Sequence, residues 1–296
     1  MTGSVAAIFS ALSYAFNSML LRRAVVGVSD ATIGILISVP MAVPFVIAVL
    51  VVTDQLGSIL EFSWQSYLWL SSAGILHYVV GRSLYYNSIQ LVGANITGIL
   101  WRINTPVAVI LGISLLDEPV SWQLGTGVAL IVFGITVAGL NPQMFQNGKN
   151  RFSDIPLKAF IFGFGAGVSW GITPILIKTG LRDCGSPVAG VFVSFLAATI
   201  VLSISLLRHG RRTTLAGMRG RTAGLFFCAG LCSCIANLMR YTALSLAPAS
   251  IVSPLVSTSP ILVLGLSYLF NRTLEIFSKP VIVGTVAVVM GSILLV

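Results

Sequence analysis

Charge is what this chain lacks. Only 8% of its 296 residues are Asp, Glu, Lys or Arg, too few to coat a folded domain of this length with a surface that water wets. Acidic residues are the scarcer kind, 8 against 17 Lys and Arg, and each falls in a loop or at the end of an apolar run. That excludes buried paired carboxylates and the acid–base catalysis built on them; the one adjacent acidic pair is Asp117/Glu118. Four cysteines give neither a disulfide framework nor a zinc pattern, since Cys228, Cys232 and Cys234 sit at spacings that fit no metal site and Cys184 stands alone. They read as small apolar filler. No metal and no cofactor is expected.

What the chain has is hydrophobic residues, 56% of the total, gathered into runs of about 18 to 25, the length that crosses hydrocarbon as a helix. Ten such spans lie near 4–21, 31–52, 66–89, 93–116, 120–140, 158–178, 187–207, 222–244, 248–270 and 279–296. The runs are uniformly apolar, whereas a lipid-facing strand alternates over about ten residues. The first run has no basic flank ahead of it and no small-residue cleavage site, and it has a counterpart in the second half. It is expected to be a retained helix rather than a signal peptide.

The chain also repeats itself. GRSLYYNSIQLVGANITGILWRINTP aligns with CIANLMRYTALSLAPASIVSPLVSTSP, setting Tyr86 against Tyr241, Leu91 against Leu246, Ala94 against Ala249, Ile96 against Ile251 and Pro106 against Pro260. Glu118, Gly127 and Gly134 fall against Glu275, Gly284 and Gly291, and Ser13, Tyr14, Leu21 and Arg22 against Ser169, Trp170, Ile177 and Lys178. Five spans per copy is an odd number, so the second copy enters the membrane from the opposite face. The expected fold is therefore an all-α polytopic membrane protein of ten transmembrane helices in two inverted five-helix repeats. The first copy covers 1–141, a polar linker 142–157 and the second copy 158–296. Duplicated membrane halves of this kind mark many secondary transporters.

Basic loops set the orientation, because Lys and Arg beside a span stay cytoplasmic. Arg22, Arg23, Lys149, Arg151, Lys158, Arg208, Arg211, Arg212, Arg219, Arg221, Arg272 and Lys279 lie on one face, Lys178 and Arg182 on the other. This puts both chain termini outside. The net charge of +9 is thus a topology signal, and no nucleic-acid partner is expected. Gly163, Gly167 and Gly171 lie four apart on one helical face, which lets another helix approach closely; a dinucleotide loop is excluded because no strand precedes them. Gly127/Gly134 and Gly284/Gly291 mark similar faces in spans 5 and 10.

The informative residues are those that lipid does not tolerate. Arg82, Arg102 and His77 fall within spans 3 and 4, and Arg240 toward the end of span 8. An arginine at mid-bilayer costs at least about 2.5 to 3.5 kcal/mol, so it faces protein or water. Arg102 stands beside Trp101, Asn104 and Thr105, just before Pro106, whose missing N–H frees a carbonyl in the preceding turn. The plain alternative is a structural arginine satisfied by such carbonyls or by Trp101. Arg82 and Arg240 are nearer helix ends, where a long side chain can snorkel. Yet Arg82, Tyr85 and Tyr86 share a helical face, as do Asn237, Arg240 and Tyr241, and the repeat sets Arg82 against Asn237 and Tyr85 against Arg240. With the copies inverted, Arg82 and Arg240 lie toward opposite faces and Arg102 between them, a positively charged path for an anionic or carboxylate-bearing solute. Tyr14, Asn17 and Trp170 occupy matching or adjacent repeat positions and offer rings and an amide for stacking and hydrogen bonds. Asn95 pairs with Ser250 across the repeat. His77, a group that titrates near neutrality, is the candidate for ion coupling, against its plainer role as a buried polar residue.

The pattern of a small-residue start, a mid-span proline, a glutamate and a glycine-rich closing helix occurs twice. It is seen in GANITGILWRINTPVAVILGISLLDEPVSWQLGTGVALIVFG and in PASIVSPLVSTSPILVLGLSYLFNRTLEIFSKPVIVGTVAVVMG. It resembles the EamA repeat of the drug/metabolite transporter superfamily, and the likeness covers essentially the whole chain. The resemblance implies a ten-helix inverted-repeat carrier with a central cavity lined chiefly by helices 1, 3, 4, 6, 8 and 9. Members move amino acids, other metabolites, sugars, nucleotide sugars or drugs, and commonly keep their termini in the cytoplasm, the reverse of what the loop charges give here. Glu118 and Glu275 match the family's recurring glutamate and read as caps of the following helices.

The function expected is a multi-pass secondary transporter of the cell membrane, an exporter or exchanger of a small organic metabolite that works by alternating access. Its partners are the small-molecule substrate and the lipid bilayer, and the sequence sets no oligomeric state. The competing classes are an integral-membrane enzyme, disfavoured for want of acidic or histidine clusters, and a channel-like pathway.

Overall fold

The computed structural model describes residues 2–25, 28, 31–116, 122–139, 157–182, 186–205, 215–256, 258–270 and 279–294. Of the segment expected as a linker, 142–157, residues 142–156 lie outside the described residues and Leu157 begins a helix; Asp117, Glu118, Cys184, Arg272 and Glu275 also lie outside the described residues. Among the described residues every regular element is helical. That is the arrangement in which a backbone inside lipid satisfies its own hydrogen bonds. Five of the helices, Gly3–Val25, Thr32–Val52, Leu157–Gly180, Pro187–Ser205 and Gly220–Leu246, are long and apolar enough to cross a membrane. Shorter apolar helices accompany them.

Helix α1 spans Thr2–Val25. The next crossing is broken in two, α2 (Ile35–Ser38) and α3 (Ala42–Val52), because Pro40 has no N–H to continue the ladder. Helix α4 (Trp64–Gly74) starts where the Ser63 hydroxyl accepts from the Ser66 N–H at 3.2 Å, a side-chain N-cap. It runs into a π-helical turn, Ile75–Gly81, and then into α5 (Arg82–Leu100). A 3₁₀ turn at Trp101–Ile103 leads to α6 (Asn104–Leu116), and α7 (Trp122–Gly139) closes the first half. The second half contains α8 (Leu157–Gly180), α9 (Pro187–Ser205), α10 (Gly220–Leu246), α11 (Ala249–Val256), α12 (Ser259–Phe270) and α13 (Lys279–Leu294).

Helical hydrogen bonding runs through α5 without a gap, where the hydrophobic pattern separates one span ending near 89 from another starting near 93. The hydroxyls of Ser88 and Thr97 are nevertheless 2.9 Å apart. In a straight helix nine residues are about 13 Å apart along the axis. Helix α5 is therefore sharply bent between Ser88 and Thr97. The corresponding corner of the second copy, Ala247–Pro248, is an outright break between α10 and α11, since Pro248 cannot donate there.

Packing follows the repeat. Helix α1 packs on α10, α11 and α12, and its counterpart α8 packs on α4, the π turn, α5 and α6. Likewise α2 meets α10, α9 meets α4, and α7 pairs with α13. Small residues make these approaches close. A Cβ on Gly163 would stand 2.7 Å from Leu100, on Gly167 2.6 Å from the Trp101 carbonyl, and on Gly171 2.6 Å from Val107. The row of glycines four apart is thus the seam between α8 and the α5–α6 region. A Cβ on Gly291 would stand 2.6 Å from the Gly127 carbonyl, so the glycines of spans 5 and 10 do meet backbone to backbone. The apolar core around these contacts includes Leu70, Tyr78, Phe195 and Tyr241.

Candidate functional site

Where the two copies meet, α4, the π turn, α5, α8 and α10 bring polar side chains to the middle of the protein. Arg82, in the first turn of α5, is buried. Its guanidinium donates to the Ser38 hydroxyl at 3.3 Å and to the Ser233 hydroxyl, and its Cζ lies 5.3 Å from the centroid of the Tyr78 ring. Both partners are neutral, so the hydrogen bonds orient the cation without cancelling its charge. Ser38 is delivered by the end of α2 just before the Pro40 break, and Ser233 lies one turn before Asn237 on α10.

Asn237 links this group to the first helix. Its amide donates to the Ser233 carbonyl at 2.7 Å, and its Oδ1 accepts from the Tyr14 hydroxyl at 2.8 Å. Asn17, one turn further along α1, donates to the Ala229 carbonyl at 2.6 Å, and Ser10 donates to the Ala236 carbonyl at 2.7 Å. The polar face of α1 is therefore spent on holding α10.

A second group surrounds His77. The imidazole Nδ1 faces Nη1 of Arg240 at 3.5 Å, and the His77 carbonyl accepts from the Trp170 indole N–H at 3.1 Å. Trp170 is the hub of an aromatic set. Its ring centroid is 5.1 Å from that of Trp101, 5.2 Å from Tyr85 and 5.8 Å from His77. Pro174, inside α8, lacks the N–H that would pair with the Trp170 carbonyl, and Gly81 has no Cβ because Trp170 occupies that space. Tyr241, beside Arg240, donates to the Ser194 hydroxyl at 2.7 Å, which donates to the Leu70 carbonyl at 2.6 Å. Chemically the arrangement presents two buried guanidinium groups and several flat rings in the space between the copies.

The model of the EamA-like transporter family matches the chain twice, over residues 1–140 and 157–296. The chain belongs to the EamA-like transporter family. It is thereby a membrane transporter of the drug/metabolite transporter superfamily, a family of carriers rather than enzymes. A crystal structure of another protein superposes on this EamA-like chain with a TM-score of 0.70, over 99% of this chain and 95% of that one, at 13% identity. At that identity the likeness concerns the fold alone. None of the curated proteins matches.

In this EamA-like transporter, most of the residues singled out from the sequence fall into two sets. Arg82, Asn237 and Tyr14 form one hydrogen-bonded chain through Ser233, while Arg240, His77, Trp170, Tyr85 and Trp101 form the aromatic group. Tyr86 is buried beside Tyr85, ring centroids 6.0 Å apart. Asn104 is directed to its neighbour, its Oδ1 accepting from Thr105 at 3.4 Å, and Asn17 anchors α1. The backbone of Arg102 lies in the 3₁₀ turn before Pro106; its side chain, like that of Asn95, is outside the described residues. Ser38, Tyr78 and Ser233 were not singled out. Two of them carried a readable signal, since Tyr78 precedes Arg82 by one turn and Ser233 precedes Asn237 by one turn. Ser38 had none, because its closeness to Arg82 arises only from the folded chain.

Proposed function

We propose that this transporter carries a small organic solute bearing a carboxylate or another anionic group, an amino acid for example, across the cell membrane by alternating access. The observation that supports this reading is the pair Arg82 and Arg240. They are exposed by only 8% and 6%, and the acidic residues among the described ones, Asp54 and Glu61, are both exposed and lie outside the apolar spans. A guanidinium stays charged in proteins. Two such charges held by hydroxyls, an imidazole and aromatic faces are costly in an apolar interior, and an anionic group arriving between them offsets that cost. The Tyr78 hydroxyl, buried with no hydrogen-bond partner among the described residues, is a further donor. Tyr85, Trp101 and Trp170 supply faces for an apolar side chain or an ammonium group.

The carrier is read as ten crossings in two inverted five-helix copies, with Arg82, Arg102 and Arg240 along one path. The copies rock about the midplane site, and Pro106, Pro174, Pro254 and Pro260 let the helices distort locally. Export or exchange of the solute follows its gradient. The test is counterflow in proteoliposomes with labelled amino acids, sugar phosphates and organic anions. Saturable, trans-stimulated exchange of an anionic or carboxylate-bearing solute is expected, abolished in Arg102→Gln protein that still elutes as a folded species. Unchanged anion exchange in that variant, or flux that never saturates, overturns the reading.

A further inference from the structure

We infer that His77 and Arg240 form a proton-linked latch, so that a proton travels with the anionic solute. The inference rests on the carrier reading above and adds the coupling ion to it. A guanidinium can only donate, so where Nη1 of Arg240 faces Nδ1 of His77 at 3.5 Å, Nδ1 is the acceptor and the ring proton sits on Nε2. The ring is held in that pose. Its residue belongs to the π turn, its carbonyl is bound by Trp170 at 3.1 Å, and Tyr78 meets its edge with centroids 4.8 Å apart.

Placing a proton on Nδ1 replaces this contact with two facing cations. Among the described residues, the charged and titratable groups around the pair are Arg82, Tyr78 and Tyr85 on the same crossing, Tyr241 and Cys234 on α10 and Tyr14 on α1. Helices α9 and α11 carry no ionisable residue. Lys178 on α8 is engaged by the Ala247 carbonyl at 3.0 Å. None of these groups is a carboxylate, so the negative charge that allows His77 to be protonated beside Arg240 has to come from the solute. A carboxylate between the two accepts from both, and proton and solute then favour each other's binding by the same factor. The latch joins the π turn, packed on α8, to α10, packed on α1. Its opening therefore lies on the route of any movement between those helix groups.

The test uses the full-length protein in proteoliposomes with labelled L-glutamate and L-phenylalanine as probes and a pH-sensitive dye in a weakly buffered lumen. Wild-type protein is expected to acidify the lumen as solute enters. It is also expected to raise solute accumulation by up to about tenfold for each unit by which the outside is more acidic, the limit for one proton per solute. In His77→Gln, whose amide oxygen still accepts from Arg240 but takes no proton, exchange at equal pH is expected to weaken, because the carboxylate loses one of its two donors, and the exchange that remains is expected to show neither proton effect. If the wild type exchanges neither probe at any pH, the carrier reading falls and this one with it. Net uptake without luminal acidification or acid stimulation overturns the latch alone. A folded His77→Gln protein whose remaining exchange still responds to acid also overturns it. If that variant does not fold or exchanges nothing, the wild-type dye measurement decides.

Discussion

The Tyr14 hydroxyl donates to Asn237 Oδ1 at 2.8 Å, tying the first helix of one copy to the third helix of the other. Asn237 in turn holds the Ser233 carbonyl, and the Ser233 side chain holds Arg82. A carboxylate installed at Asn237 would give Arg82 an internal counter-ion. Asn237→Asp is therefore expected to lower exchange of carboxylate solutes about tenfold or more, the worth of one hydrogen bond to a charged group, and to melt lower than the wild type because the Ser233 carbonyl loses its donor. Thermal unfolding in detergent and counterflow measure the two halves of this prediction, and full exchange in the variant would contradict it.

Trp170→Phe keeps a ring in the aromatic set but removes the N–H that serves the His77 carbonyl. The lost hydrogen bond is worth about 0.5 to 1.5 kcal/mol. The variant is expected to melt lower than the wild type. Trp170→Ala, which also empties the ring position against Tyr85 and Trp101, is expected to melt lower still.

Glycine substitutions separate the seam from the open surface. Gly167→Ala drives a Cβ to 2.6 Å from the Trp101 carbonyl, whereas at Gly125 an added Cβ meets nothing within 4 Å. Overpacking at Gly167 is expected to cost about 1 to 3 kcal/mol, and Gly125→Ala to be neutral or slightly stabilising in its helix. Equal melting temperatures for the two variants would show that the seam gives way.

From the loop charges the termini are expected outside. In a background with the four cysteines replaced, a cysteine at exposed Gly57 is expected to react with an impermeant maleimide on intact cells, and one at exposed Gly217 only after permeabilisation. The opposite pattern would invert the protein in the membrane.

Much of this was legible in the sequence because lipid makes the code simple. Apolar runs pointed to an all-helical membrane protein, and the glycine spacings at Gly163, Gly167, Gly171, Gly127 and Gly291 marked faces that do pack closely. The candidate site was legible only in part. Arg82 and Arg240 stood out as misplaced charges, yet their nearness to helix ends suggested snorkelling, and nothing local tells that Ser38, far away in the chain, meets Arg82. The π turn was not legible either. Its single-residue widening leaves the hydrophobic pattern intact while turning His77 and Tyr78 toward α8 and α9.

The seam between α8 and the α5–α6 region bears on what moves. It is backbone against backbone, and its mirror is the clasp of α1 on α10 through Ser10, Tyr14 and Asn17. Each opening helix is thus bolted to the opposite copy. On the alternating-access reading proposed above, the bodies that swing past one another are then chimeras, α4–α6 travelling with α8 and α10–α12 with α1. Trp101 and Trp170, though written in different copies, would ride together as one wall, and the polar contacts of Arg82 and Arg240 would have to let go for that wall to swing.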